Sequence, residues 1–222
     1  MGEVIDFLTT AQNWRGQSGI PARTASHLWL SIVAVAVASA VAIPFAMWMS
    51  HRHRGTAVAV ALVNIGRAIP SFALLALVLP VSIRFGLGLG FWPTAVAMIA
   101  LALPPLFITT FTGMRSVPPE VIDAAAGMGL NARQRLRQVE VPLALPQILT
   151  GVRIATMQVI ATATLGALVA FSGLGSFIEE GRASFDRGKY LTGALLVILL
   201  ALAAQSALLA VERRATPWRH QG

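Results

Sequence analysis

The stretch PEVIDAAAGMGLNARQRLRQVEVP, residues 119–142, is a polar, arginine-rich island between long apolar segments. Within it stand Asp123-Ala124-Ala125, then Gly129, then Val139-Glu140-Val141-Pro142. Runs of apolar residues on both sides predict membrane helices, so the island is expected to be a structured loop at one face of a membrane bundle.

Composition places the chain in a membrane. Apolar residues make up 56% of the 222 residues and charged residues only 12%, against about 25% charged residues in soluble domains. The net charge of +8 does not indicate nucleic acid, because the basic residues lie at the ends of apolar segments, as they do beside membrane spans. The chain has no cysteine, which excludes disulfides and thiolate metal sites. We expect no metal and no nucleic-acid partner.

Five apolar segments are long enough to cross a bilayer, which takes about 20 residues. The predicted fold class is therefore all-α, a polytopic transmembrane bundle of about five spans. The segments cover residues 28–49, 56–81, 91–112, 145–171 and 191–211, with the polar island at about 113–144 and a glycine-punctuated loop at 172–190.

The distribution of basic residues predicts the orientation. Five spans put the termini on opposite sides, and arginine and lysine accumulate in the cytoplasm. The island's side carries Arg52, Arg54, Arg115, Arg133, Arg135, Arg137, Arg213, Arg214 and Arg219, and the other side Arg15, Arg23, Arg84, Arg182, Arg187 and Lys189. We therefore expect an extracellular N-terminal segment (1–26), a membrane domain (27–212) with its island in the cytoplasm, and a cytoplasmic tail (213–222).

The island is predicted to hold two short helices joined at a glycine corner. The pair Pro118-Pro119 suits the first turn of a helix, where a missing N–H costs nothing, and Gly127 and Gly129 end that helix. Asn131 can cap the second helix, with Gln134 at the position that reaches back.

The first island helix is predicted to separate charge from apolar surface. Glu120 and Asp123, at i and i+3, share one face, and the small Ala124 and Ala125 leave room for a partner to approach. The predicted apolar faces are Val121, Ile122, Ala125 and Met128 in the first helix, and Ala132, Leu136 and Val139 in the second.

The island resembles the EAA loop of permease subunits of bacterial ABC importers. That loop has an acid and two alanines, then a glycine after three free positions, then aliphatic-x-aliphatic-proline after nine more. The matching residues here are Asp123, Ala124, Ala125, Gly129, Val139, Val141 and Pro142. Asp123 replaces the usual glutamate and Val141 the usual leucine, and both changes preserve the chemistry.

Other segments are similar to permeases for glycine betaine, choline and related osmoprotectants. They are Ala68-Ile69-Pro70-Ser71-Phe72-Ala73-Leu74-Leu75, Gly151-Val152-Arg153-Ile154-Ala155, Ser172-Gly173-Leu174-Gly175 and Tyr190-Leu191-Thr192-Gly193-Ala194. Methionine-type permeases share the five-span layout and a similar loop, but the Ile69-Pro70-Ser71 segment favours the osmoprotectant branch.

The resemblance implies a non-catalytic type I permease subunit in a bacterial inner membrane, translocating glycine betaine, choline, a related quaternary amine or proline. It implies four partners: a dimer of ABC ATPase subunits that hold ATP and Mg, a second identical or homologous permease, an extracellular binding protein and the lipid bilayer. No cofactor is expected on this chain. Asp123, Ala124, Ala125 and Gly129 would dock the ATPase, with Val139, Val141 and Pro142 flanking the contact. A permease for methionine or another small solute is the alternative, and a membrane scaffold or membrane enzyme a third reading.

Arg67 falls near the middle of the second apolar segment, where an ionisable residue costs several kcal/mol and indicates a functional site. Pro70 removes an N–H, which predicts a broken helix around 66–71, and irregular backbone at membrane depth lies beside a cavity. Arg67, Pro70 and Ser71 are therefore candidates for the translocation path or the subunit interface. Alternatively, Arg67 extends to the cytoplasmic surface, as we also expect of Arg153.

Overall fold

The computed structural model describes residues 2–52 and 56–216, with only the backbone described for residues 63 and 65–68. Every regular element in these ranges is a helix. The helices are α1 (Gly2–Thr9), α2 (Ile20–His51), α3 (Thr56–Ala68), α4 (Ser71–Arg84), α5 (Phe91–Arg115), α6 (Pro119–Gly127), α7 (Ala132–Arg135), α8 (Val141–Thr162), α9 (Gly175–Ala183) and α10 (Arg187–Ala215). A π-helical turn, Leu136–Glu140, joins α7 to α8, and short 3₁₀ segments cover Ala11–Trp14 and Ala163–Val169.

Four of the predicted spans are single long helices. In the described part of the chain, α2, α5, the continuous helix Ala132–Val169 and α10 are long and apolar enough to cross a membrane. The second predicted span is divided into α3 and α4 at Ile69-Pro70, which confirms the predicted break.

Small residues allow the central helices of the bundle to pack closely. On α2, Ala34, Ala38, Ala42 and Ala46 recur every fourth residue and are 0–3% exposed, so they form one stripe facing the interior. The chain's main apolar core joins this stripe to side chains of α5 and α8. Close packing at small residues is how membrane helices associate, because lipid supplies no hydrophobic driving force between them.

Glycines bring α5 and α8 into contact. A Cβ on Gly151 would collide with the hydroxyl of Thr109, and a Cβ on Gly113 would lie 2.6 Å from Cβ of Gln147. By contrast, α10 lies at the edge, against α8, α9 and α1, and its most apolar stretch has no residue buried within the chain. That surface is available to lipid or to another subunit.

The segment expected as a loop at 172–190 contains α9. The helix α9 is not apolar on average, so its sequence lacks the apolar run that indicates a span. Gly181 allows it to pack against α10, where an added Cβ would lie 2.5 Å from the backbone nitrogen of Tyr190, while Phe177 is 2% exposed beneath it.

The first long helix begins at Ile20, earlier than the predicted start at 28, and has Pro21 in its first turn. The early part of this helix carries Arg23 and His27, and both are buried. Arg23 can be buried in this part of the helix because it forms an ion pair with Glu180 of α9, with 2.6 Å between Nη2 of Arg23 and Oε1 of Glu180.

Candidate functional site

The first island helix, α6, begins and ends as predicted. Pro119 lies in its first turn. At its end, the Gly129 N–H donates to the Ala126 carbonyl at 2.9 Å and the Leu130 N–H donates to the Ala125 carbonyl at 3.1 Å. This pair of bonds is a Schellman motif, which requires a left-handed residue, and Gly129 supplies one with φ +85°. The motif glycine therefore sets the corner after α6.

The second island helix starts as predicted but does not end. Asn131 Oδ1 accepts from the Gln134 N–H at 3.0 Å, and Gln134 Oε1 accepts from the Asn131 N–H at 2.9 Å, forming a complete capping box. The chain then continues through the π-helical turn into α8. The prediction of a separate short helix is wrong, because the wider π turn before Pro142 accommodates a proline that would otherwise break the helix.

The motif residues divide between an exposed and a buried surface. Asp123, Ala124 and Gly129 are exposed on α6 and at its end. Ala125 is 2% exposed and packs within the chain, so the expectation that both alanines leave room for a partner is wrong for Ala125. Val139, Val141 and Pro142 are half-buried in the continuous helix Ala132–Val169, which we call the return helix.

An apolar stripe on α6 is open to solvent. Val121 is 39% exposed and Met128 74% exposed. Ala124 lies three residues after Val121 and four residues before Met128, so the three side chains share one face. The predicted apolar face is thus split, because Ala125 is buried and Ile122 half-buried. A continuous apolar strip of α6 remains uncovered by its own chain.

A cleft of about 480 Å³ lies between α6 and the adjoining ends of α2 and α5. Its titratable and charged lining residues are His51, Arg115, Asp123, Arg135 and Glu140. The motif acid Asp123 is therefore an exposed lining residue of a charged cleft. Within residues 2–52 and 56–216, no group of three or more His, Cys, Asp or Glu side chains is placed to hold a metal ion.

Glu140 is a site residue that the sequence analysis did not identify. It is 5% exposed, and His51 Nδ1 lies 2.8 Å from its Oε1 and 3.1 Å from its Oε2. A carboxylate oxygen accepts, so the histidine nitrogen is the donor of this hydrogen bond. A signal was available, because Glu140 is the single carboxylate between residues 131 and 169, and a lone acid among membrane-entering residues needs a partner.

The break between α3 and α4 lies at the predicted place. Pro70 is the N-cap of α4, with φ −64° and ψ 129°, and its carbonyl accepts from the Leu74 N–H at 3.1 Å. Pro70 is exposed and Ser71 half-buried. The backbone of Arg67 is helical in α3, but its side chain lies outside the described residues, so its predicted role in the path stays a prediction.

Arg153 has a partner inside the bundle. Its Nη1 lies 3.4 Å from Oε2 of Glu212, and the two side chains are 22% and 14% exposed. The helix α10 continues past residue 211 to Ala215, which brings Glu212 to the level of Arg153. The expectation that Arg153 extends to the cytoplasmic surface stays a prediction.

On the side opposite the island, Glu180 of α9 joins two other helices. Its Oε1 lies 2.6 Å from Nη2 of Arg23 in α2, and its Oε2 lies 2.6 Å from Nζ of Lys189 in α10. Partial burial favours the neutral carboxyl, but the hydrogen bonds and charges of the two cations outweigh it and hold the pKa of Glu180 below its ordinary value. This ion triad fixes α9 above the bundle.

Curated proteins of similar sequence are transport permeases. The chain is 32% identical over 222 residues to a glycine betaine/carnitine/choline transport system permease protein, OpuCB, of Bacillus subtilis, and the match covers 100% of this chain and 98% of the relative. It is 32% identical over 217 residues to the choline transport system permease protein OpuBB of the same organism, covering 98% and 95%. An osmoprotectant import permease protein, OsmY, of Salmonella typhimurium is 38% identical over 154 residues, covering 69% and 63%.

Solved structures share the fold. The methionine ABC transporter MetNI in an inward-facing conformation matches with a TM-score of 0.75 at 22% identity, covering 86% of this chain and 93% of that one. An amino acid ABC transporter matches with a TM-score of 0.74 at 17% identity, covering 95% and 98%. Residues 34–217 match the model of the family described as binding-protein-dependent transport system inner membrane component. The chain belongs to this family of inner membrane components of binding-protein-dependent transport systems.

Proposed function

We propose that this chain is the permease subunit of an ATP-driven ABC importer for osmoprotectants, with glycine betaine, choline or a related quaternary amine as substrate. The observation that carries the coupling role is the exposed apolar stripe of α6, on a helix whose two ends are fixed by backbone geometry. The substrate class rests on the printed activities of the relatives and on the Ile69-Pro70-Ser71 segment.

The stripe is the docking surface for a separate ATPase subunit. Val121, Ala124 and Met128 present apolar atoms to solvent, although the island around them is polar, and an exposed apolar patch rimmed by charge marks a contact with another protein. Asp123 stands beside the stripe, and Gly129 fixes the angle at which the helix is presented. ATP and Mg are bound by the ATPase dimer, and this chain supplies no catalytic group and no cofactor.

The proposed topology follows the basic residues. The N-terminal segment (1–26) is extracellular, the membrane domain (27–212) places the island in the cytoplasm, and the tail (213–222) is cytoplasmic. Two permease subunits, identical or homologous, form the pore, and an extracellular binding protein delivers the substrate. The unburied apolar stretch of α10 suits contact with the lipid bilayer.

The proposed path lies at the break between α3 and α4, where Arg67, Pro70 and Ser71 surround irregular backbone. There Arg67 can meet the carboxylate of a betaine. Replacing Arg67 by alanine is expected to abolish betaine uptake while leaving ATPase binding intact, whereas Arg84→Ala, an exposed arginine at the end of α4, is expected to retain uptake. Full uptake by the Arg67→Ala protein would remove Arg67 from the path.

Co-purification of the ATPase tests the docking surface. Ala124 and Ala126 are both exposed on α6, but they point about 200° apart around the helix. We expect Ala124→Lys to lose the ATPase and Ala126→Lys to keep it. Equal retention by both variants would refute docking on the stripe, and a native chain that never binds an ATPase would refute the coupling role altogether.

Substrate-stimulated ATP hydrolysis tests the substrate. The complex, reconstituted in liposomes with its binding protein, is challenged with betaine, choline, carnitine, proline and methionine in separate reactions. Stimulation by the quaternary amines is the expected result. Stimulation by methionine alone would be consistent with an importer but would refute the proposed substrate class.

A further inference from the structure

We propose that Glu140 is a positioning residue for coupling, which ties the island to the end of α2 through His51. When a bound ATPase displaces α6, the end of α2 then moves with it, and the motion is not confined to the island. The inference rests on the proposed function for its purpose, but the link itself is a property of this chain alone.

The helix α6 and the return helix form a rigid corner. The main contacts of α6 are with α7 and the π-helical turn. Between them, the Schellman bonds at Gly129 and Leu130 and the capping box of Asn131 and Gln134 fix every turn of the connection. A force on the exposed stripe of α6 is therefore transmitted to residues 132–140.

Glu140 lies where this corner meets the bundle. A π turn holds more residues than an α turn. Each added residue rotates the preceding segment, which contains α6 and α7, by about 100° relative to α8. The turn Leu136–Glu140 therefore sets the direction of the whole corner, and Glu140 is its last residue. π-Helical turns are rare, appear mostly as single turns inside α-helices, and are frequently found at functional sites.

Directional hydrogen bonds hold the corner at one position against the bundle. A small apolar cluster lies beside the pair, where Met114, Ala144 and Ile148 are buried and Met47 and Leu136 pack against them. Apolar contacts are non-directional, so this cluster alone permits sliding. The bonds between His51 and the 5%-exposed Glu140 are directional, and breaking a buried pair by removing one partner is strongly unfavourable.

Other charged side chains also line the cleft, namely Arg115, Asp123 and Arg135. Asp123 is exposed on α6, and Nε of Arg135 is buried without a hydrogen-bond partner. The contact of Glu140 with α2 that carries the link is made by His51, the last residue of that helix.

A distance measurement tests the link on the purified full chain, whether or not an ATPase binds. The chain has no cysteine, so spin labels can be placed at Ala40→Cys on α2 and Ala126→Cys on α6, both exposed positions, and diluted with unlabelled chain. Pulsed electron paramagnetic resonance is expected to give one narrow distance distribution for the native pair and a broader one for Glu140→Ala. An unchanged distribution would overturn the proposal.

Coupling in the reconstituted complex gives the functional test. We expect Glu140→Ala and His51→Ala each to lower uptake per ATP hydrolysed by about five-fold or more, within the range of ordinary coupling free energies, and the double variant to lower it no further. Glu140→Gln keeps one acceptor for His51 and is expected to recover part of the ratio.

The matched control is Glu179→Gln, the same substitution in an exposed pair with Arg182, and it is expected to leave the ratio unchanged. If uptake and hydrolysis fall together in Glu140→Ala, Glu140 serves only folding and the proposal is wrong. If the native chain binds no ATPase, the proposed function fails, and the spin-label distances still decide the link.

Discussion

At the level of single residues, pairs of titratable side chains join helices of the bundle. His51 meets Glu140, Arg153 meets Glu212, and Arg23 meets Glu180. Each pair joins elements far apart in sequence and includes one side chain that is at most 14% exposed, so each fixes one helix against another. Exposed pairs such as Glu179 with Arg182 contribute little by comparison.

At the residue scale, Gly129 provides the cleanest test. A Cβ added at Gly129 or at Gly127 meets no atom within 4 Å, but only Gly129 has a positive φ, +85°. We therefore expect Gly129→Ala to cost about 1–2 kcal/mol of local stability, and Gly127→Ala to be neutral or stabilising by up to about 1 kcal/mol. Hydrogen exchange of the α6 amides measures both.

An asparagine at position 129 separates conformation from docking. Asparagine tolerates the left-handed region, so Gly129→Asn is expected to recover most of the protection lost in Gly129→Ala. Protection in Gly129→Ala equal to that of the native chain would show that the Schellman motif does not hold the end of α6.

Between elements, the contact of α5 with α8 depends on two glycines. At Gly151, an alanine would collide with the Thr109 hydroxyl, so one helix must shift. We expect Gly151→Ala to lower stability by about 1–3 kcal/mol, the usual cost of overpacking, as measured by thermal unfolding in detergent.

Removal of the colliding group should reverse that effect. In a Gly151→Ala background, Thr109→Ala takes away the hydroxyl and is expected to restore stability, although the same change in the native chain brings no gain. A double variant as unstable as Gly151→Ala would show that the helices are not in contact at this point.

The attachment of α9 is predicted to depend on pH. The pKa of Glu180 is held low in the folded chain by Arg23 and Lys189, so its stabilisation is complete above the ordinary glutamate pKa, about 4.3. It is lost as the pH falls through the lower, folded-state pKa. Acidification into this range is expected to lower the protection factors of the α9 amides, which compare their exchange with the intrinsic rate at the same pH.

Glu180→Gln removes the titrating group and serves as the comparison. We expect the protection factors of α9 in this variant to be lower than in the native chain at neutral pH and to change less on acidification. An identical pH response in both proteins would mean that other groups control α9.

At the scale of the whole molecule, orientation decides which partner meets which face. One crossing, the helix Ala132–Val169, separates the stripe of α6 from the turn at Phe185, which is 93% exposed. In the proposed topology, Met128→Cys reacts with a membrane-impermeant thiol reagent only in inverted vesicles, and Phe185→Cys only in intact cells. The native chain, which lacks cysteine, is the blank, and the opposite labelling pattern would invert the topology.

Much of the architecture could be predicted because its signals are local. Apolar runs of sufficient length indicate spans, Pro70 indicates a break, and Asn131 with Gln134 indicates a cap. The errors concern features without a local signal: α9 is too polar to look like a span, and the return helix passes a proline because a π turn precedes it. Ala124 and Ala125 are adjacent and identical in sequence, and only packing distinguishes the exposed one from the buried one.

The sequence by itself determined the class of the protein, the motif spacing of the island and the glycine that ends α6, because composition, spacing and backbone conformation depend on near neighbours. Only the tertiary structure decided which charges meet. His51 and Glu140, or Arg153 and Glu212, are far apart along the chain, and long-range pairing is set by how helices pack. The coupling inference depends on that packing, since Glu140 becomes a link only when the end of α2 lies against it.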